Sequence, residues 1–215
     1  MTKGIFISLE GGEGSGKSTL ARKLKEFLES KNIPVLLTRE PGGTLEAEAI
    51  RSLVVEGEND RFDPIVEALL FNAARRHHLM QAIIPALDLG CWVICDRFVD
   101  STFVYQGFVQ NVDLVFLKNL HRDACKNIFP NVTFLLDVPV DVGLYRANKR
   151  QYNEHEARFE KKGYLFHEAV RKSFLDLSKD YADRYYVLDS TLTEFELFKI
   201  ATECLSNLFI ELNTQ

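Results

Sequence analysis

The sequence predicts a three-layer α/β fold built on a parallel sheet of five strands. Three observations predict it. Five short apolar runs, at residues 5–10, 35–39, 92–95, 132–136 and 185–188, have the length and composition of buried strands. The stretches between them are long and helical in pattern, which goes with parallel pairing and helices on both faces of the sheet. The first run also feeds directly into Gly11-Gly12-Glu13-Gly14-Ser15-Gly16-Lys17-Ser18, a fit to G-x-x-x-x-G-K-[ST] that joins a strand end to a helix start.

The elements follow in order. Leu20, Leu24, Phe27 and Leu28 fall on one face of the helix after the glycine loop. The second strand runs into Glu40-Pro41-Gly42-Gly43, a turn cluster. A helix is expected over 45–55, ending near Gly57, with a loop at Asn59-Asp60. A longer helix begins near Pro64 and carries Leu69, Leu70, Phe71, Ala74 and Arg75, and Pro85 marks a kink or break. The third strand ends in Asp96-Arg97. Residues 100–126 read as two helices separated near Gly107. The fourth strand ends at Asp137, and a helix over 142–150 follows. The polar, charged stretch 151–163 reads as a mobile flap, then a helix runs to about residue 183. The fifth strand and a last amphipathic helix to about residue 212 complete the chain.

A length of 215 residues suits a single domain, taken here as 1–215, and can bury a substantial core. The net charge of −5 argues against a general nucleic-acid binder while leaving room for a small anion held by local arginines. The four cysteines show no metal-ligand or C-x-x-C spacing, and Cys91 and Cys95, flanking one strand, read as reduced core residues. With no long apolar stretch at the N-terminus and no run of about 18 apolar residues, the expectation is a cytoplasmic chain without a membrane partner.

The glycine loop carries the chemistry. Glycines let the backbone wrap a phosphate in conformations with positive φ, and the helix N-terminus favours an anion. Lys17 can reach the β and γ phosphates, and Ser18 can hold Mg²⁺. In an open parallel sheet ligands sit at the carboxyl ends of strands. The polar residues there are Glu10, Glu13, Arg39, Glu40, Asp96, Arg97 and Asp137. Asp96 can order a metal, and Arg97 can clamp a second phosphate. Phe71 and Arg75, four apart on one helix, can stack a flat base and donate to its edge. Arg146, Lys149, Arg150 and Arg158, in or beside the flap, are either a solvated surface or a lid that brings arginines onto a transferring phosphoryl group. A GTPase is excluded, because no aspartate has glycine three residues on and Asn148-Lys149-Arg150-Gln151 lacks the guanine-reading aspartate. The loop glycines do not fit the dinucleotide fingerprint G-x-G-x-x-G. A phosphoryl transferase with a small acceptor remains.

At this point the chain resembles the bacterial-type thymidylate kinases. The matching segments are the glycine loop, Thr38-Arg39-Glu40-Pro41-Gly42-Gly43, Leu70-Phe71 with Ala74-Arg75-Arg76, Asp96-Arg97-Phe98, Ser101-Thr102 with Tyr105-Gln106-Gly107, and Arg158-Phe159-Glu160. The resemblance implies a P-loop, nucleoside-monophosphate-kinase fold with a mobile lid at about 147–162. It implies ATP plus dTMP giving dTDP plus ADP, with Mg²⁺ at Ser18 and Asp96, in a homodimer. It implies an ATP site at Gly11, Gly12, Glu13, Gly14, Ser15, Gly16, Lys17 and Ser18. On the acceptor side it implies Phe71 stacking on thymine, Arg75 donating to O4, and Ser101, Thr102 and Gln106 as substrate contacts, the last two at the base edge. Tyr105 would pack against the sugar. Arg39, Arg51 and Arg97 would surround the acceptor phosphate, Glu40 would be a further substrate-binding residue, and Glu13 would lie near the sugar and the metal. Glu40-Pro41 is expected to be cis, as in relatives. The family places a catalytic arginine either in the glycine loop or in the lid. Gly14 occupies the loop position here, so Lys17, Glu13, Asp96 and Arg97 would act with lid arginines. Relatives often carry Asp before Arg-Phe-Glu where this chain has Ala157, and both Arg158 and Arg150 stand as candidates.

Overall fold

A computed structural model describes residues 3–56, 61–149 and 162–213. The first apolar run forms β1 (Phe6–Glu10), which is buried at every position. Such a strand has to lie inside the sheet with cover on both faces. It does: the five parallel strands take the order β2-β3-β1-β4-β5, with β2 (Val35–Arg39), β3 (Trp92–Asp96), β4 (Val132–Asp137) and β5 (Tyr185–Asp189).

Strand alternation splits the core in two. Ile5, Ile7 and Leu9 point to one face, where Leu20, Leu24 and Leu28 of α1 (Lys17–Ser30) and Leu197, Ala201 and Leu205 of α9 (Glu194–Asn213) cover them. Phe6 points to the other face, with Phe98, Phe103, Leu117, Val170 and Phe174. That layer is built from α3 (Pro64–His78), α6 (Leu114–Cys125) and α8 (Tyr164–Asp180). Helix α2 (Leu45–Val55) packs on α3. Its start is fixed by Thr44, whose hydroxyl accepts from the Ala47 N–H, and α3 begins on the Asp63 carboxylate with Pro64 in the first turn.

Three boundaries differ from the sequence reading. Near Pro85 the helix does not break. It widens into a π-helical turn at Leu79–Ile83 and continues as α4 (Ile84–Asp88), which absorbs the proline's missing N–H without ending the rod. The break expected at Gly107 lies later. Helix α5 (Val99–Thr102) runs into a second π-helical stretch, Phe103–Val109, and the chain turns at 110–113, where Asp113 caps α6. Gly107 is there for close packing, since a Cβ on it would meet Leu114 Cδ2 at 2.5 Å. Helix α7 (Val140–Asn148) starts two residues earlier than expected, immediately after Pro139. All four cysteines are free. Cys95 is buried as expected, while Cys91 is half-buried just ahead of β3. Most of the expected lid, 150–161 with Arg150, Ala157 and Arg158, lies outside the described residues. No helix among the described residues is long and apolar enough to cross a membrane.

Candidate active site at the carboxyl edge of the sheet

β1, β3 and β4 all end on one edge, and the glycine loop leaves β1 there. Gly11, Gly14 and Gly16 have φ of 140°, 66° and 91°, a backbone that side chains disfavour. A second requirement is proximity: a Cβ on Gly14 would overlap the Gly143 carbonyl of α7, and one on Gly143 would meet the Glu13 carbonyl at 2.5 Å. The loop and α7 touch backbone to backbone. From the far edge of the sheet, Ser190 Oγ donates to the Ser15 carbonyl at 2.5 Å.

Lys17 Nζ lies over the loop and donates to Gly12 O at 2.7 Å, Gly11 O at 3.1 Å and Ser15 Oγ at 3.2 Å. Burial, and then the nearby Arg97 charge, push its pKa down to about 8, so the ammonium is still charged near neutral pH. Ser18 Oγ donates to Asp96 Oδ2 at 2.5 Å, bringing the first turn of α1 to the end of β3.

Arg97 follows β3 in a left-handed conformation, φ 70°, rare for a residue with a side chain. Glu10 fixes that turn. One carboxylate oxygen accepts from the Phe98 N–H at 2.7 Å and the other from Ser101 Oγ at 2.7 Å. Ser101 Oγ in turn accepts from Arg97 Nη1 at 3.3 Å. The same Nη1 donates to Gly11 O at 3.0 Å, and Nη2 donates to Glu13 Oε1 at 2.8 Å. Burial, reinforced by the Asp100 charge, pushes the Glu10 carboxyl up to about 7. Asp100 is itself held by two hydrogen bonds from Arg184, at 2.7 and 2.8 Å.

Beside Arg97 opens a cavity of about 210 Å³. Glu13, Glu40, Arg51, Phe71, Arg75, Arg97, Ser101, Thr102, Tyr105 and Gln106 line it, so stretches far apart in sequence meet around one space only through the fold. Arg75 is buried at 3 % exposure. Its Nε donates to Glu40 Oε2 at 2.7 Å and its Nη2 to Thr102 Oγ1 at 3.1 Å, while Nη1 is buried without a partner. Gln106 donates to the buried Glu67 carboxylate at 3.2 Å. Arg51 Nη1 donates to the Pro41 carbonyl at 2.9 Å, next to the Glu40–Pro41 bond, which is cis.

The family-model match runs over residues 9–199 and its model is that of thymidylate kinase. The chain belongs to the thymidylate kinase family. It is 45% identical over 190 residues to the thymidylate kinase of Caulobacter vibrioides, covering 88% of this chain and 90% of that one. It is 40% identical over 196 residues to that of Geobacillus sp., covering 91% and 93%. The crystal structure of thymidylate kinase from Ehrlichia chaffeensis superposes with a TM-score of 0.76 at 32% identity, over 94% of this chain and 99% of that one.

Within this thymidylate kinase family member, two expected site residues stand apart from the cavity. Arg39 is half in solvent and pairs with Glu48 at 3.2 Å, because strand alternation turns it away from the side Glu40 faces. Asp137 is taken up by a bidentate pair with Arg171, at 2.7 and 2.9 Å. Other residues of the site went unnoticed in the sequence. Glu67 and His78 lie on α3 four residues before Phe71 and three after Arg75, so the helical spacing that picked out Phe71 and Arg75 extends to both. Val55, at the end of α2, closes the cavity with no sequence signal.

Proposed function

We propose that the glycine loop holds ATP, the cavity holds dTMP, and Arg97 stands at the seam between them. As a member of the thymidylate kinase family, the chain is an ATP-dependent dTMP kinase. A phosphate oxygen of dTMP attacks the γ-phosphorus of ATP, the bond to the β–γ bridging oxygen breaks, and dTDP and ADP leave. There is little covalent work for the protein in such a transfer, so positioning and charge carry the catalysis.

The observation that carries the assignment of the cavity is Arg75 Nη1. A buried donor without an acceptor costs about 1–3 kcal/mol, and the O4 of thymine supplies the missing acceptor. Cytosine presents an amino donor at that position and leaves the cost in place. Phe71, on the same face of α3, gives the ring a surface to stack on. Thr102 and Gln106 border the base edge, and Tyr105 packs against the sugar. Arg97 and Arg51 neutralise the acceptor phosphate. Arg97 reaches the loop carbonyl of Gly11 and lines the cavity at once, which supports its place between donor and acceptor.

Lys17 and the loop amides face the β and γ phosphates. Ser18 and Asp96 fit Mg²⁺, because they offer hard oxygen atoms from few protein groups and leave the remaining positions to phosphate and water. When bound, that ion neutralises phosphate charge. We assign the chain a homodimer as well. Helices α2 and α6 each pack on α3 and leave Leu53, Leu69 and Phe116 exposed, an apolar surface a second copy would cover.

Steady-state kinetics with dTMP, dUMP and dCMP tests the base reading. The expected order is dTMP, then dUMP, then dCMP, the 5-methyl group adding only about 1–3 kcal/mol. Arg75→Ala lowers kcat/KM for dTMP by at least about tenfold and narrows the gap to dCMP. A variant that keeps the parent's ratio removes Arg75 from base recognition.

A further inference from the structure

Behind Arg75, away from the cavity, lies a second line of polar groups that the reaction itself does not require. His78, three residues further along α3, is completely buried. Its Nδ1 lies 3.2 Å from Glu40 Oε1, and its Nε2 lies 2.7 Å from Thr38 Oγ1 on β2. A carboxylate oxygen only accepts, so Nδ1 carries the hydrogen. In the neutral ring Nε2 is then the acceptor for the Thr38 hydroxyl. The other Glu40 oxygen accepts from Arg75 Nε at 2.7 Å. The connection runs without interruption from Thr38 through His78 and Glu40 to the guanidinium in the cavity wall. Gly43 makes room for it: φ is 86° there, and a Cβ would overlap both His78 Nε2 and Thr38 Oγ1.

We propose that His78 is a positioning residue for base selection, holding the Glu40 carboxylate in the rotation that leaves Arg75 Nη1 available to the base. The proposal rests on the reading of Arg75 given above. A carboxylate turns easily about its terminal bond, since that torsion has broad wells. With one oxygen held by His78, the other has a fixed place, and the short bond to Nε fixes the plane of the guanidinium. Without the imidazole N–H, a buried carboxylate oxygen lacks its donor and turns to draw on the nearest one, a second nitrogen of Arg75. That nitrogen is Nη2, which shares an edge of the guanidinium with Nε; drawn from Thr102 towards Glu40, it turns the plane and carries Nη1 off the base. The effect falls on which base is accepted and leaves phosphoryl transfer in the closed complex largely alone.

The test compares the ratio of kcat/KM for dTMP to that for dCMP in the parent, His78→Leu, His78→Asn, Arg75→Ala and the double variant His78→Leu/Arg75→Ala. In His78→Asn the amide nitrogen takes the place of Nδ1, and the ratio stays within about threefold of the parent. In His78→Leu the ratio falls by at least about tenfold, through a higher KM for dTMP more than a lower kcat. The double variant falls no further than Arg75→Ala alone, because the two residues act as one unit. A histidine that only supports packing lowers the melting temperature and leaves the ratio unchanged, so a folded His78→Leu with the parent's ratio overturns the proposal when Arg75→Ala has lost it. If Arg75→Ala keeps the ratio, the underlying reading of Arg75 fails first and takes the proposal with it. Thr38→Val serves if His78→Leu does not fold. It removes the partner of Nε2, and the expected narrowing is about threefold or more, an unchanged ratio being the contrary result.

Discussion

Lys17 shows how much a single side chain here does by charge alone. Its ammonium rests on two loop carbonyls and a serine hydroxyl, contacts that the loop backbone can replace with water. Lys17→Ala therefore leaves the circular dichroism spectrum unchanged and lowers kcat by at least about 100-fold, the scale of losing one preorganised charge at a developing negative centre. Near-normal turnover in a folded variant removes the loop from the donor site. At this scale the sequence was informative where chemistry is local. The glycines, Lys17 and Ser18 lie within eight residues and announce themselves. Phe71 and Arg75 are visible through helical spacing. The partner of Arg75 is not: Glu40 lies 35 residues away, and only packing brings the two together. Arg39 and Glu40 are neighbours in sequence, yet one is half in solvent and the other 5 % exposed, because successive strand residues face opposite ways.

At the scale of elements, glycine is the residue whose meaning the sequence left open. Gly107 looked like a turn and proved to be a point of close approach between the second π-helical stretch and Leu114. Gly143, in the second turn of α7, is of the same kind, and its neighbour is backbone, which cannot yield as a side-chain tip can. Gly143→Ala pits a gain in helix propensity of up to about 1 kcal/mol against an overpacking cost of about 1–3 kcal/mol. Stability then changes little, and the strain goes into the loop. KM for ATP rises at least about fivefold while KM for dTMP moves much less, as expected when only one of two sites is deformed. Equal changes in both would show that α7 supports the whole site and not the loop in particular. The five strands and their parallel order followed from short apolar runs separated by helices. The positions of the π-helical turns did not: Pro85 marks a disturbance in the helix but not its form, and Phe103–Val109 carries no proline to mark it at all.

Across the whole molecule, two buried titratable groups oppose each other. His121 sits among Phe98, Phe103 and Phe129, and burial pushes its pKa from 6.5 down to about 4. Its folded form resists protonation, so its contribution to stability is present above 6.5 and is lost as pH falls towards 4. Glu10 is raised from 4.5 to about 7 by burial, so its contribution is present below 4.5 and is lost as pH rises through 7. Between 4.5 and 6.5 the two slopes are each about 1.4 kcal/mol per pH unit and opposite in sign. They cancel in the parent. His121→Gln exposes the Glu10 slope, so its stability relative to the parent falls with rising pH across that window. Glu10→Gln exposes the His121 slope and gives the reverse. Urea denaturation midpoints at pH 5 and pH 6 for the three proteins decide it, and parallel shifts in both variants would show that neither group titrates with the fold.

The bond from Ser190 to the Ser15 carbonyl spans 175 residues. It sets an order in time. During synthesis the glycine loop leaves the ribosome long before Ser190, the residue that follows β5. At translation rates of 5–20 residues per second, about 10–35 s separate the two. β1 waits as well, since its sheet partners β3 and β4 begin at Trp92 and Val132. The nascent chain thus carries its fully buried central strand and its phosphate loop unfinished until β5 and Ser190 have been made. The loop is made early and completed late, and a chain that stops short of β5 holds the sequence of a nucleotide site without its shape.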